Sequence, residues 1–196
     1  MADKITVALI YDFDGTLAPG NMQEYDFIPA VGKSNMEFWH EANTLAEEQD
    51  ADQVLTYMAR MIQAAQSNGL SLRREAFRES GRNVKFYAGV EEWFKRINEY
   101  GEKRGVNILH YVNSSGLKEI IEGTAIAHEF KNIYACSFLY NVDGIAYWPA
   151  VAVNYTNKTQ FIFKINKGVE PVYDTFKVNQ YMEENKRPVP FKRMIY

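Results

Sequence analysis

The sequence feature that most constrains the fold is a short uncharged run that ends at two aspartates. Residues 5–11 read ITVALIY, and Asp12 and Asp14 follow at once, with Gly15 behind them. An apolar, partly β-branched run of this length, bounded by Asp-Gly, predicts a strand buried on both faces, as in a parallel sheet. Because open parallel sheets bind ligands beyond the carboxyl ends of their strands, the two aspartates mark a candidate site.

Helical and extended patterns alternate along most of the remaining chain. Such alternation predicts an α/β fold, a Rossmann-like parallel sheet with helices on both faces. The predicted strands lie at 107–112, 132–140 and 145–153, the last as the return of a hairpin after a turn at 141–144, and a further strand begins at 193–196. The predicted helices lie at 71–80, from Gly89 to Gly105, and at 115–122, 158–167 and 173–184.

A purely helical block interrupts this alternation directly after the first strand. Residues 34–66 carry apolar side chains at helical spacing, and Asn68-Gly69 ends the pattern. Residues 21–85 are therefore predicted to be an inserted helical cap domain, and residues 1–20 and 86–196 to form the α/β core.

Composition excludes several classes of protein. The 196 residues carry a formal net charge of −3, which offers no basic surface to nucleic acid, and a single cysteine, Cys136, cannot form an intrachain disulfide. No apolar run approaches the ~20 residues that span a bilayer, and the first residues lack the pattern of a signal peptide. We therefore expect a cytoplasmic protein without a nucleic-acid or membrane partner.

The spacing of Asp12 and Asp14 indicates two different tasks for the two carboxylates. Neighbouring buried carboxylates repel each other, and a divalent cation with its preference for oxygen ligands resolves the conflict. Alternate residues of an extended segment point to opposite sides, so one side chain and one backbone carbonyl are the expected ligands. The second carboxylate then remains free for proton transfer. The alternative is a plain polar turn, in which Asp and Gly are also common.

Three sequence motifs together resemble those of the haloacid dehalogenase superfamily. YDFDGTL at 11–17 resembles its first signature, hhhDxDGT, and HYVNSSG at 110–116 resembles the second, with Ser114 as first choice and Ser115 as second. NYTNKTQFIFKINKG at 154–168 is similar to the lysine-bearing third signature, with Lys158 favoured and Lys164 as fallback. The helical insertion resembles the cap of phosphoserine-phosphatase-like members.

The resemblance implies a phosphatase that hydrolyses a small phosphomonoester. Asp12 would attack phosphorus to form an aspartyl-phosphate, and Asp14 would protonate the leaving oxygen and then activate water. Ser114, Ser115 and Lys158 would hold the phosphoryl oxygens. The implied cofactor is Mg²⁺, bound through Asp12 and Asp14. The sequence leaves the substrate and the oligomeric state open.

The sequence departs from the family at its fourth signature, a GDGxxD-like segment that supplies further acidic ligands to the metal. No Gly-Asp pair follows Lys158, and the last predicted strand begins at the final residues. A core truncated at its C-terminus, with weak or no phosphatase activity, is therefore expected. The alternatives are a non-catalytic binding protein with the same fold and a phosphotransferase or mutase.

Two further groups of residues lie in the predicted cap. Tyr25, Asp26 and Phe27 lie near its first hinge, from which they could reach a substrate. An arginine cluster could bind an anionic substrate tail, although a solvated helix face is the favoured interpretation because arginine is seldom buried. The cluster consists of Arg73, Arg74, Arg78 and Arg82.

Overall fold

The structure, a computed structural model, describes residues 5–196, so the first four residues of the predicted core segment 1–20 lie outside the described residues. Strand β1, Ile5–Tyr11, lies inside a sheet of order β4-β3-β2-β1-β5 and pairs in parallel with both of its neighbours. β2 and β3 are also parallel, whereas β4 is antiparallel to β3. The predicted α/β class with a mostly parallel sheet is confirmed. The other strands are β2 (Val106–Leu117), β3 (Asn132–Tyr140), β4 (Ala146–Val151) and β5 (Met194–Ile195).

Helices fill the segment between β1 and β2 and flank the later strands. The longest two are capped by side chains of the types that favour helix starts: Ser34 and Glu37 form a reciprocal capping box, and Asp52 accepts two backbone N–H groups. Within residues 5–196, no helix has both the length and the apolar composition needed to cross a bilayer. The α-helices are α1 (Phe27–Ala30), α2 (Asn35–Gln49), α3 (Gln53–Ser67), α4 (Arg74–Gly81), α5 (Val90–Glu102), α6 (Lys118–Glu122), α7 (Lys158–Lys167) and α8 (Thr175–Asn179).

The helix predicted at 115–122 is wrong in its first turn. β2 continues to Leu117, which pairs with Cys136 of β3 after a register shift, and α6 begins only at Lys118. Pairing with a neighbouring strand thus overrides the helical pattern at Ser115, and the serines lie on extended backbone.

The helix predicted at 173–184 is also wrong, because only residues 175–179 are α-helical. None of the residues of α8 is buried, and the side chains of Tyr173 and Tyr181 are exposed as well. A short helix that buries no apolar face gains little from propagation, so the flanking residues adopt irregular structure.

The segment between β1 and α5 shares its core with the sheet. Phe77 of α4 stacks on Phe138 of β3, with ring centroids 5.5 Å apart, and on Phe27 of α1 at 6.2 Å. α4 also crosses α6 where Gly81 meets Gly123, and a Cβ built on Gly81 would lie 2.9 Å from the Cα of Gly123. The helices of residues 21–85 are thereby held close to the carboxyl edge of β1 and β2.

Candidate active site

A cavity of about 240 Å³ lies beyond the carboxyl ends of β1 and β2. The loop after β1 contributes Asp12 and Asp14, the end of β2 contributes Ser114 and Ser115, and the first residue of α7 contributes Lys158. The structure therefore brings all five predicted site residues to one cavity, which joins three segments that are distant in the sequence.

Asp12 and Lys158 form the ion pair at the base of this cavity. Lys158 Nζ lies 2.6 Å from Asp12 Oδ2, and the backbone N–H of Phe13 donates to Asp12 Oδ1 over 2.8 Å. Burial acts to lower the pKa of Lys158, but the hydrogen bond and charge of Asp12, with a contribution from Tyr196, outweigh it and raise that pKa. Lys158 is therefore a fixed positive charge, while the Asp12 side chain remains 37% exposed to the cavity.

Asp14 differs from Asp12 in its surroundings. Burial raises its pKa to about 7, against the hydrogen bond from the Met22 N–H, and the charges of Asp12 and Glu24 raise it further. The Met22 N–H lies 2.9 Å from Asp14 Oδ1. A carboxyl group with such a pKa exists in both protonation states near neutral pH, which is what proton transfer in both directions requires.

The end of β2 places two hydroxyl groups beside these carboxylates. Ser114 Oγ accepts the N–H of Gly116 over 3.0 Å, whereas Ser115 Oγ is buried and has no hydrogen-bond partner within residues 5–196. Gly116 permits this arrangement, since a Cβ there would overlap the side chain of Met22 and lie 2.9 Å from Asp14 Oδ2. Ser115 therefore offers an unused donor to a bound anion.

The start of α7 is held against the same strand end. The Asn113 side chain donates to the backbone carbonyl of Lys158 over 3.0 Å, which positions the lysine toward Asp12. Lys164, the alternative lysine, lies elsewhere: its Nζ donates to the carbonyls of Pro171 and Asp174, over 2.9 and 3.2 Å. The geometry thus favours Lys158 over Lys164.

Tyr25, Asp26 and Phe27 do not line the cavity in the part of the chain that the structure describes. The Tyr25 hydroxyl donates to the carbonyl of Pro19, Asp26 accepts from Ser80 over 2.6 Å, and Phe27 is buried in the core. Asn21 and Gln23, a few residues earlier, line the cavity instead. The short helix of residues 22–24 turns these two side chains inward, and the sequence gives no motif for that turn.

Two helices of residues 21–85 also line this cavity. α2 contributes Trp39 and Asn43, and α3 contributes Gln53 and Tyr57. The Tyr57 hydroxyl donates to the backbone carbonyl of Ser115 over 2.7 Å. These residues were missed by the sequence reasoning, because helical spacing identifies a buried face and does not say what that face covers.

The donor set fits a weakly held hard cation. Among the described residues, no group of three or more His, Cys, Asp or Glu side chains is arranged to hold a metal ion. Asp12 supplies one accessible carboxylate, and the Asp14 backbone carbonyl is the second ligand that the sequence leads us to expect. Mg²⁺ commonly binds through one or two carboxylates and completes its shell with water and substrate phosphate. The residues present thus suit a magnesium ion that depends on its substrate for further ligands.

A mostly parallel α/β sheet thus carries two aspartates, two serines and a lysine at its carboxyl edge. The family model of haloacid dehalogenase-like hydrolases matches residues 9–196. The chain belongs to the haloacid dehalogenase-like hydrolase family. It is 31% identical to an uncharacterized protein of Borreliella burgdorferi, over 97% of this chain and 73% of that relative.

Solved structures show the same fold at low sequence identity. A phosphoserine phosphohydrolase-like protein from Francisella tularensis matches with a TM-score of 0.50 and 20% identity, over 73% of this chain and 64% of that one. A HAD family hydrolase from Salmonella enterica matches with a TM-score of 0.57 and 13% identity, over 81% and 50%. A substrate-bound phosphoserine phosphatase matches with a TM-score of 0.53 and 14% identity, over 82% and 70%. The chain thus spans between half and 70% of the length of these structures.

Proposed function

We propose that this protein is a phosphatase that hydrolyses a small phosphomonoester at the cavity beyond β1 and β2. The observation that carries the proposal is the pairing of two unlike carboxyl groups in one cavity. Asp12 is accessible and held by Lys158, and Asp14 is buried with a pKa near 7. A nucleophile and a proton shuttle need these two different environments.

In the first proposed step, a carboxylate oxygen of Asp12 attacks phosphorus. The bond from phosphorus to Asp12 forms, the bond to the ester oxygen breaks, and protonated Asp14 gives its proton to that leaving oxygen. Lys158 and the hydroxyls of Ser114 and Ser115 hold the phosphoryl oxygens and balance their charge. The products of this step are the free alcohol and an aspartyl-phosphate.

In the second step, the carboxylate of Asp14 takes a proton from a water molecule as that water attacks the phosphorus of the aspartyl-phosphate. The bond to Asp12 breaks, inorganic phosphate leaves, and both aspartates return to their starting states. When bound, Mg²⁺ at Asp12 and the Asp14 carbonyl would neutralise charge on the phosphoryl group. Since few protein ligands hold the ion, activity is expected to be low and magnesium-dependent.

Residues 21–85 are proposed to act as a cap over a core formed by 1–20 and 86–196. The support is the position of Trp39, Asn43, Gln53 and Tyr57, which line the same cavity as the aspartates. A cover of this kind excludes water other than the attacking molecule and selects the alcohol part of the substrate. The proposed partner is therefore a small molecule. A cytoplasmic location is proposed as well, because the one cysteine, Cys136, is a buried free thiol.

The proposal is tested by hydrolysis of p-nitrophenyl phosphate with and without Mg²⁺. Asp12→Asn should lower kcat by at least about 10³-fold, because it removes the nucleophile. The matched control is Asp143→Asn, the same change at an exposed turn, which should leave kcat unchanged. Phosphate release that is equal in the wild type and in Asp12→Asn would refute the proposal.

A second candidate is a non-catalytic protein that binds phosphate esters. The small metal-donor set favours it. Calorimetric titration with Mg²⁺ and inorganic phosphate separates the two: phosphate binding without any magnesium-dependent turnover is the result expected of a binding protein.

A further inference from the structure

Apart from the aspartates, serines and lysine, the wall of the cavity consists largely of carboxamide and aromatic side chains. Four carboxamides line it, two from the loop after β1 and one from each of α2 and α3; they are Asn21, Gln23, Asn43 and Gln53. Lys158 is the one cationic side chain among the described residues of the lining, and it is held 2.6 Å from Asp12. The alcohol part of a substrate therefore meets neutral donors and acceptors.

Gln23 is the most informative of these carboxamides. Its side chain is 1% exposed, and its Oε1 is buried without a hydrogen-bond partner in the described chain. A buried acceptor without a partner costs about 1–3 kcal/mol, so native structures rarely keep one without a reason. Because Gln23 lines the cavity, its carboxamide is placed to meet a hydroxyl group of a bound alcohol.

Trp39 and Tyr57 add apolar surface to the same wall. Their rings meet edge to face, with centroids 5.8 Å apart and planes at 69°. Their polar atoms are already engaged, since Trp39 Nε1 donates to Glu24 over 2.8 Å and the Tyr57 hydroxyl donates to Ser115. What remains for a ligand is the carbon surface of the rings, against which C–H groups of a polyol or sugar can pack.

The arginines of the insertion are engaged away from this wall. Arg78 pairs with Glu122 over 2.7 Å, Arg82 with Glu79 over 2.8 Å, and Arg60 with Glu41. Arg74 lies over the ring of Tyr140, and Arg73 donates to the carbonyl of Asp143. A carboxylate on the substrate would be desolvated here without a cationic partner, which is strongly unfavourable.

We propose that the substrate is the phosphomonoester of a neutral, hydroxyl-bearing alcohol, such as a short polyol or a single sugar, and that Gln23 is a specificity-determining residue. This inference rests on the proposed phosphatase function and adds the class of the leaving alcohol. A cavity of about 240 Å³ suits a small ester. Phosphomonoesters of hydroxy acids and amino acids are excluded by their carboxylate.

Matched pairs of esters test the inference. Glycerol 1-phosphate and 3-phosphoglycerate differ by one carboxylate in place of a CH2OH group, as do sorbitol 6-phosphate and 6-phosphogluconate. We expect kcat/KM to favour the neutral member of at least one pair by roughly tenfold or more. Equal values, or preference for the acid in both pairs, would overturn the inference, as would a clear preference for phosphoethanolamine over glycerol 1-phosphate.

Variants of two lining residues test the assigned wall. Gln23→Leu keeps the volume but removes the carboxamide, so KM for the preferred neutral ester should rise roughly tenfold, and the ratio of kcat/KM between the neutral ester and its acid partner should fall. Gln66→Leu, the same change on the exposed face of α3, should change neither value. Gln53→Arg places a cation at the exposed start of α3 and should shift the preference toward the acid of each pair. If neither change alters selectivity, the wall does not select the alcohol.

Binding to Asp12→Asn separates failure of this inference from failure of the proposed function. Calorimetry with this variant measures the affinity of each ester without turnover. Tighter binding of the neutral esters, with no hydrolysis by the wild type, would support the preference for neutral esters but refute the proposed phosphatase activity. Hydrolysis of p-nitrophenyl phosphate with equal affinity for both members of each pair would refute only the substrate class.

Discussion

His110 is a buried residue of β2 that takes part in a chain of side-chain hydrogen bonds. Trp93 Nε1 donates to the Tyr11 hydroxyl, which lies 2.9 Å from His110 Nδ1, while His110 Nε2 lies 2.9 Å from Asn98 Oδ1. If the tyrosine donates to Nδ1 and Nε2–H donates to Asn98, every polar atom of the chain is satisfied. Protonation would turn Nδ1 of His110 into a donor, and this N–H would face the O–H of Tyr11, so the hydrogen bond from Tyr11 would be lost.

The pH dependence of stability should reveal this buried histidine. Burial lowers the pKa of His110 to about 4, below its unfolded value, so its contribution to folding is present above pH 6.5 and is lost as the pH falls toward 4. The loss approaches ~3 kcal/mol at full protonation. Urea unfolding of the wild type and His110→Gln at pH 7, 5.5 and 4 measures it, and the gap between the two proteins should shrink with acidity. Parallel profiles would contradict the assignment.

Residue types and spacing were enough to predict part of the candidate site. Asp12, Asp14 and Lys158 fall in motifs whose chemistry needs those side chains, and the structure brings them together. Gln23 and Trp39 could not be predicted in the same way. They reach the cavity through the turn at 22–24 and the packing of α2, and neither depends on a recognisable local pattern.

At the level of elements, α4 and α6 cross with their backbones in close contact at Gly81 and Gly123. A Cβ on Gly81 would overlap the carbonyl oxygen of Ile120, and a Cβ on Gly123 would overlap that of Arg78. Arg78 and Glu122 form an ion pair between the same two helices. The crossing therefore requires glycine for its distance, and the ion pair adds little to it because both partners face solvent.

Gly81→Ala should destabilise the protein by about 2 kcal/mol or more, since overpacking a tight contact costs ~1–3 kcal/mol and the clash is with backbone. The measurement is the free energy of unfolding in urea. Arg82→Ala, one residue later at an exposed ion pair, is the control and should lie within about 0.5 kcal/mol of the wild type. Equal effects of the two substitutions would show that the crossing is loose.

The predicted bounds were most accurate for elements whose apolar sequence pattern matches the faces that neighbouring elements bury. β1, β3 and α7 match their predicted bounds, because the apolar pattern of each is the pattern its neighbours bury. The helix predicted at 115–122 begins late because β3 captures the end of β2, a contact between residues about 20 positions apart. Local periodicity carries no information about such a partner.

On the scale of the whole molecule, hydrogen bonds join α3 and its N-cap residue, Asp52, to the sheet side of the cavity. The Tyr57 hydroxyl donates to the carbonyl of Ser115, and the Asn154 side chain donates to Asp52 Oδ2 over 2.7 Å. Asp52 also begins α3, and Asn154 precedes the lysine of the site. The helix that covers the cavity is thus attached at both of the segments that would hold phosphate.

Removing one of these hydrogen bonds should increase the local opening of α3 more than it lowers the free energy of unfolding of the whole protein. Tyr57→Phe deletes the bond to Ser115, worth about 1 kcal/mol, while the ring keeps its packing. Hydrogen exchange of the α3 amides should accelerate roughly fivefold, and KM for a phosphomonoester should rise. Tyr147→Phe, an exposed tyrosine of β4, is the control and should alter neither. Unchanged exchange in α3 would show that the bond does not hold the helix.

The bond between Tyr57 and Ser115 has a thermodynamic consequence for any anion that enters the cavity. Ser115 carries both the carbonyl that accepts from Tyr57 of α3 and the hydroxyl that lacks a partner among the described residues. A ligand bound to that hydroxyl and the position of α3 therefore act on the same residue. Two equilibria that act on one residue are linked, and the linkage is reciprocal. By this reciprocity, any factor by which an anion at the Ser115 hydroxyl strengthens the bond from Tyr57 is also the factor by which that bond strengthens anion binding.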